Sequence, residues 1–145
     1  MEPTDHNLRA WDEAHRRAPM LTGERGLPSP VRHALADLHG KRALDLQCGT
    51  GEAAAQLAEL GATVTGVDPS AEGLAQARQR WPSILWIEGD VEELPRELLR
   101  GRFDLVYNGP GVVDGLRDLG AWASGIAAAS PFFRYACAGV FLPLA

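Results

Sequence analysis

Cysteine is scarce. Cys48 and Cys137 are the only two in 145 residues, too few for a disulfide framework or a zinc cluster, so a reduced, cytoplasmic setting is the expectation. No apolar run approaches the ~20 residues that span a bilayer, and the opening MEPTDHNLRAWDEAHRR lacks a signal peptide's apolar core. Membrane partners are therefore not expected. Positive charge is also thin: the largest clusters are His15-Arg16-Arg17 and Lys41-Arg42 in a chain of net charge −5. No basic stripe exists to neutralise phosphates, which argues against nucleic acid as a partner. His6, His15, His33 and His39 all fall in the N-terminal third without metal-ligand spacing, so no metal site is expected. Nor is there an internal repeat or a low-complexity tract. What remains is an ordinary globular composition, long enough for one domain with one core.

The apolar pattern supplies the architecture. In LPSPVRHALADLHGK, Ser29 is placed to cap a helix with Pro30 at its first position, and Val31, Leu35 and Leu38 recur at helical spacing before Gly40. RALDLQ reads as a first strand, EAAAQLAELG as a helix closed by Gly61, and ATVTGVD as a second strand rich in β-branched residues. PSAEGLAQARQRW opens with a Ser70 cap and gives the next helix. SILWIEGD is a third strand, VEELPRELLRG a short helix or turn interrupted by Pro95, and FDLVYNG a fourth strand. LRDLGAWASGIAAA is helical despite Gly120 and Gly125, and YACAGVFLPLA holds a fifth strand. Strands apolar on both faces that alternate with helices predict an α/β fold. It is doubly wound, with a mostly parallel sheet of about five strands and helices on both faces.

In such a fold the ligand lies beyond the carboxyl ends of the strands, where the strand order reverses. The loop after the first strand, Asp45-Leu46-Gln47-Cys48-Gly49-Thr50-Gly51, is the expected site. It lacks the third glycine of a dinucleotide fingerprint and the Gly-Lys-Ser/Thr ending of a P-loop. Asp45 carries more information: a carboxylate at the loop mouth repels a pyrophosphate and attracts a cationic ligand. S-adenosylmethionine, with a sulfonium, an ammonium and no phosphate, meets that requirement, and the loop glycines admit close backbone approach. Asp68 ends the second strand 17 residues after Gly51, where such folds hold ribose hydroxyls with a carboxylate. Asp90 closes the third strand and is placed to accept from an adenine amine, with the Val91 N–H donating to the adjoining ring nitrogen.

Taken together, ALDLQCGTG, VTGVDPS, IEGDVEELP and FDLVYNG resemble the motifs of the class I S-adenosylmethionine-dependent methyltransferases, in order and spacing, from about Lys41 to about Trp122. The resemblance implies a Rossmann-like methyltransferase core at residues 28–145, after an N-terminal segment, residues 1–27, that folds over the cofactor. Trp11 in AWDEAHR is similar to the aromatic lid segment of some members, and His15 would approach a substrate only through that lid. Asp45 to Gly51, with Gln47, Gly49 and Gly51, would form the methionine-side loop. Asp68, followed by Pro69, would take the ribose, and Asp90 with Val91 the adenine. Asn108 and Gly109 would border the transferable methyl.

Two departures stand out. Gln47 replaces the family's usual glycine, and SPFFRYACAGV replaces its RPGG turn. After Leu116 only one helix and one strand are expected, where the family's seven-stranded sheet continues. The C-terminal strands are thus expected to be missing, leaving the fifth strand as an exposed edge suited to homodimerisation.

Each acid also has a plainer reading. Asp45 can cap the following turn, and Asp68 can open the helix after Pro69 and Ser70. Cys48 has no histidine partner and reads as a small buried residue, while Trp81 and Trp86 read as core. Phe132, Phe133 and Tyr135 either cover an edge or expose one. Three functions follow, in this order. First is a methyltransferase acting on a small molecule, with no catalytic residue named. Second is a truncated or catalytically impaired S-adenosylmethionine-binding domain without turnover. Third is a nicotinamide-dependent oxidoreductase fragment, against which the absent third glycine and Asp45 both count.

Overall fold

The computed structural model describes residues 3–17, 26–100, 102–109, 116–130, 136–138 and 141–142. Helix α1 (Pro3–Arg17) is followed by α2 (Ser29–Leu35), β1 (Arg42–Leu46), α3 (Glu52–Glu59), β2 (Thr63–Asp68), α4 (Ala71–Arg80) and β3 (Leu85–Glu88). A 3-10 turn (Arg96–Leu98) leads to β4 (Leu105–Asn108), α5 (Leu119–Ala129), β5 (Ala136–Ala138) and β6 (Phe141–Leu142). The sheet order is β3-β2-β1-β4-β5-β6. The first five are parallel, and β6 lies antiparallel to β5. This is the expected doubly wound sheet, with one correction. The fifth strand is not the edge, because Ala136 pairs with Leu142 and Cys137 with Phe141.

Local chemistry explains the element boundaries. The alanine-rich α3 springs from Gly51 (φ 93°) and its last turn is released at Gly61 (φ 106°), both in the left-handed region that glycine occupies freely. Ser70 caps α4 as expected, its hydroxyl accepting from the Gly73 N–H at 3.1 Å. Asp118 does the same for α5, accepting from the Ala121 N–H at 2.9 Å, which supports a start weakened by Gly120. Ser29 does not cap α2. Pro28, with extended backbone, holds the N-cap position, and the helix already includes Ser29. That helix also ends early, at Leu35, with Ala36 at φ 50°.

The period of two along β1 divides the core. Ala43 faces α3 and α4 with Leu57, Leu74, Ala77, Trp86 and Tyr107. Leu44 and Leu46 face the opposite layer of Val67, Val106, Leu98 and the α5 residues Ile126 and Ala129. Each buried Leu or Val removes enough apolar surface from water to contribute about 1.5–3 kcal/mol. Trp86 is the expected core tryptophan. Its indole N–H donates to the Trp81 carbonyl at 3.0 Å, and its ring lies where a Cβ on Gly66 would come within 2.5 Å. Trp81, half-buried, stacks under the Arg80 guanidinium at 4.3 Å. Phe132, Phe133 and Tyr135 lie outside the described residues.

Candidate functional site

The chain leaves β1 toward β2 and β3 on one side and returns to β4 on the other, so the strand order reverses between β1 and β4. At such a point the two following connections diverge and open a crevice at the carboxyl ends of the strands. Asp45 and Gln47 at the end of β1, Asp68 and Pro69 at the end of β2, and Asn108 at the end of β4 all lie on this edge. Asp90 and Val91 follow two and three residues beyond the end of β3.

The loop after β1 is pinned from β2. The Cys48 N–H donates to the Val67 carbonyl at 3.0 Å, and the Gly49 N–H donates to Asp68 Oδ2 at 2.9 Å. Asp68 Oδ1 accepts from the Ser70 N–H at 2.8 Å. The buried Asp68 carboxylate therefore ties the glycine loop to the start of α4. Gly49 (φ 55°) turns the chain here. Gly51 has a second reason to be glycine beside its left-handed backbone: a Cβ there would stand 2.6 Å from the Trp86 ring and 3.1 Å from the Ala77 Cβ. Its small size serves helix packing.

Asp45 is 1% exposed. Its carboxyl is held by the Ala54 N–H in the first turn of α3, while Oδ2 has no hydrogen-bond partner among the described residues. Burial pushes its pKa well above the usual carboxylate value, the charges of Asp68 and Glu52 push the same way, and the Ala54 N–H opposes them. Glu52 is itself bound by Arg80 at 2.8 Å and by the Thr50 hydroxyl. Cys48 is buried beside these acids, and desolvation raises its thiol far above the range where a thiolate forms. It is inert, as expected of a small packed residue.

Asp90 and Val91, the residues expected on the adenine side, differ in their surroundings. Asp90 is half-buried and accepts from the Glu92 N–H at 2.8 Å, closing a tight turn. Val91 is 3% exposed, its side chain in the α5-side core. Asn108 is buried and fully engaged: its amide NH2 donates to the Leu46 carbonyl at 3.1 Å and to Gln47 Oε1 at 3.2 Å. Its Oδ1 accepts from the Trp122 indole N–H at 2.8 Å. Sequence reasoning missed Trp122. The signal was there, since a tryptophan in an otherwise small-residue helix needs somewhere to place its N–H.

Buried acidic oxygen at the switch point, one atom of it unpartnered, suits a cationic ligand and opposes a pyrophosphate. Residues 43–115, half of the chain, match the family described as a methyltransferase domain. The chain belongs to the class I S-adenosylmethionine-dependent methyltransferases. An uncharacterized methyltransferase of Synechocystis sp. is 42% identical over 73 residues, covering 50% of this chain and 34% of that protein. The trans-aconitate 2-methyltransferase of Deinococcus radiodurans is 47% identical over 68 residues, covering 45% of this chain and 24% of that protein. Among solved structures, an S-adenosylmethionine-dependent methyltransferase from Mesorhizobium loti is 30% identical with a TM-score of 0.61, covering 70% of this chain and 47% of that one. This methyltransferase chain thus spans about a third or less of the length of those two curated relatives. The nicotinamide-dependent alternative finds no support. No described helix is long and apolar enough to cross a membrane.

Proposed function

We infer that the chain binds S-adenosylmethionine in the crevice between β1 and β4 and, in the protein it belongs to, transfers the methyl group to a small-molecule acceptor. The observation that carries this is Asp45 Oδ2, a buried carboxylate oxygen without a partner at the switch point. A nearby positive charge relieves the electrostatic cost of ionising it there. In this reading Asp68 accepts from the ribose hydroxyls, Asp90 from the adenine amine, and the Val91 backbone N–H is the donor for the adjoining ring nitrogen. Gly49 and Pro69 shape the loops on either side. When bound, S-adenosylmethionine supplies an electrophilic methyl whose bonding electrons remain on sulfur as the neutral thioether leaves. The residues' part is to align the acceptor and exclude water, and no general base is assigned.

Residues 1–27 are read as the lid and 28–145 as the methyltransferase domain. Helix α1 supports this: Asp12 Oδ1 accepts from the Ser70 hydroxyl at 2.5 Å, just past the Asp68 corner, and Arg16 lies 3.9 Å from Glu72. Trp11 is 61% exposed on that helix. A small acceptor is favoured by the acidic charge and by relatives named for trans-aconitate and demethylmenaquinone. A cytoplasmic setting accords with the two cysteines, and self-association would use a sheet edge, β3 or β6.

Isothermal titration with S-adenosylhomocysteine, with NAD as control, tests the reading. Micromolar binding of the first alone, lost in Asp68→Ala, is the expected result; binding of neither ligand would overturn it. Binding without turnover across a panel of small acceptors would instead favour the impaired, cofactor-binding alternative.

A further inference from the structure

Three side chains on the β4 side of the crevice form a one-directional hydrogen-bond relay. The Trp122 indole has a hydrogen to give and no acceptor. Its N–H meets Asn108 Oδ1 at 2.8 Å, which fixes the carbonyl end of that amide toward α5. The NH2 of Asn108 must then face β1, where its two hydrogens go to the Leu46 carbonyl and to Gln47 Oε1. With its oxygen so engaged, the Gln47 amide can only turn its NH2 away from Asn108. That NH2 has no hydrogen-bond partner among the described residues, and Gln47, half-buried, follows β1 at the sheet end where the strand order reverses. Its backbone is held at φ 54°, a left-handed conformation costly for a residue with a side chain.

The donor matters because of its company. Asp45, Asp68 and Asp90 are acceptors when ionised. Among the side chains assigned to the site, only the amides of Gln47 and Asn108 carry N–H donors, and those of Asn108 are already used. S-adenosylmethionine presents a sulfonium, an ammonium, hydroxyls and an amine, all matched by acids, and one anionic group, the carboxylate of its amino-acid part. We propose that Gln47, oriented by Asn108 and Trp122, donates its NH2 to that carboxylate and so selects ligands that keep the amino-acid end. Asn108 and Trp122 are positioning residues, since neither has a donor left for the ligand. This rests on the cofactor reading given above.

The test compares two ligands that differ in that end: S-adenosylhomocysteine and 5′-methylthioadenosine, which lacks the amino-acid part. Gln47→Glu keeps the side chain's size while replacing the NH2 donor with an acceptor. It is expected to weaken S-adenosylhomocysteine by about tenfold to a hundredfold, the range of a charge-assisted hydrogen bond, and to change 5′-methylthioadenosine by less than about twofold. Trp122→Phe, which only frees the relay, should weaken S-adenosylhomocysteine by a few fold and leave 5′-methylthioadenosine unchanged. Equal loss of both ligands in both variants would assign the relay a structural role and overturn the proposal, as would no loss of either. Should Gln47→Glu not fold, Gln47→Leu replaces it with the same expectation. Wild-type chain that binds neither ligand would sink the cofactor reading itself, an outcome distinct from a lost preference between them.

Discussion

The two walls of the crevice hold the same loop by different means. On the β2 side the contacts are buried charge: Asp68 grips the Gly49 and Ser70 N–H groups, and Asp45 sits behind them with one oxygen unpaired. On the β4 side they are neutral: Asn108, Gln47 and Trp122 pass hydrogen bonds between amides and an indole. Buried charge is strongly sensitive to what stands beside it, whereas a neutral network chiefly fixes the direction in which its last donor points. The β2 wall should therefore carry both stability and response to a cationic ligand, and the β4 wall chiefly orientation.

The sharpest way to break that contrast is at Asp68. Asp68→Ala leaves two backbone N–H groups without their acceptor, each worth about 1–3 kcal/mol when buried. Urea unfolding should show a loss of about 2–4 kcal/mol, with loss of S-adenosylhomocysteine binding. A loss under about 0.5 kcal/mol would mean that the carboxylate does not pin the loop.

Asp45 should move stability and binding in opposite directions. Its folded pKa is raised above its ordinary value near 3.8, so the folded chain holds the proton more tightly than the unfolded chain does. Between those two pKa values stability falls as pH rises, and above the folded pKa the whole penalty is present. Asp45→Asn keeps the shape without the charge. The free variant should be more stable than wild type at pH 7, with the gap closing toward pH 4. It should also bind S-adenosylhomocysteine less well, and a cationic ligand should bind wild type more tightly as pH rises through that window. Thermal melts from pH 4 to 8, with and without ligand, check all three; a gap that does not vary with pH would contradict them.

A smaller effect separates the rim from the wall. Ser70 both caps α4 and donates to Asp12 of α1. Ser70→Ala should cost about 1 kcal/mol, the usual value of a lost cap, and should speed trypsin cleavage after the arginines of α1. Unchanged cleavage would mean that packing alone holds α1 in place.

These contrasts show what a reader of residues can and cannot see. The strands β1, β2 and β4 and helices α3 and α4 follow from apolar period, β-branched runs and a Ser cap, all of which act within a few residues. So does the placement of Asp45, Asp68 and Asn108 at strand ends, because parallel topology puts every such end on one edge. The third strand, expected over 83–90, spans only Leu85–Glu88: the Gly89 N–H still bonds the Asp68 carbonyl, and the chain then turns at Asp90, whose carboxylate accepts from the Glu92 N–H. Gly51, read as space for a ligand, also leaves space for Trp86, a contact made 35 residues away. Trp122 escaped notice for the same reason: its partner Asn108 lies on a strand, 14 residues before it. Local chemistry can be read from neighbours in sequence, but a contact across the sheet requires knowing which face each residue takes.

The mildest prediction bears most directly on the neutral wall. Gln47 holds a left-handed backbone, which costs an L-residue about 1–2 kcal/mol, and glycine would remove that strain. Against this, Gln47→Gly loses the hydrogen bond from Asn108, worth about 0.5–1.5 kcal/mol, and gives the unfolded chain back about 0.5–1 kcal/mol of backbone freedom. These terms nearly cancel, so unfolding free energy should shift by less than about 1 kcal/mol in either direction. A loss of 2 kcal/mol or more in urea unfolding would show instead that the amide relay supports the fold as strongly as Asp68 does. The contrast between the walls would then fail. A near-zero change means that a side chain tolerated in a glycine's conformation does little for stability, and its reason for being there lies in what the crevice binds.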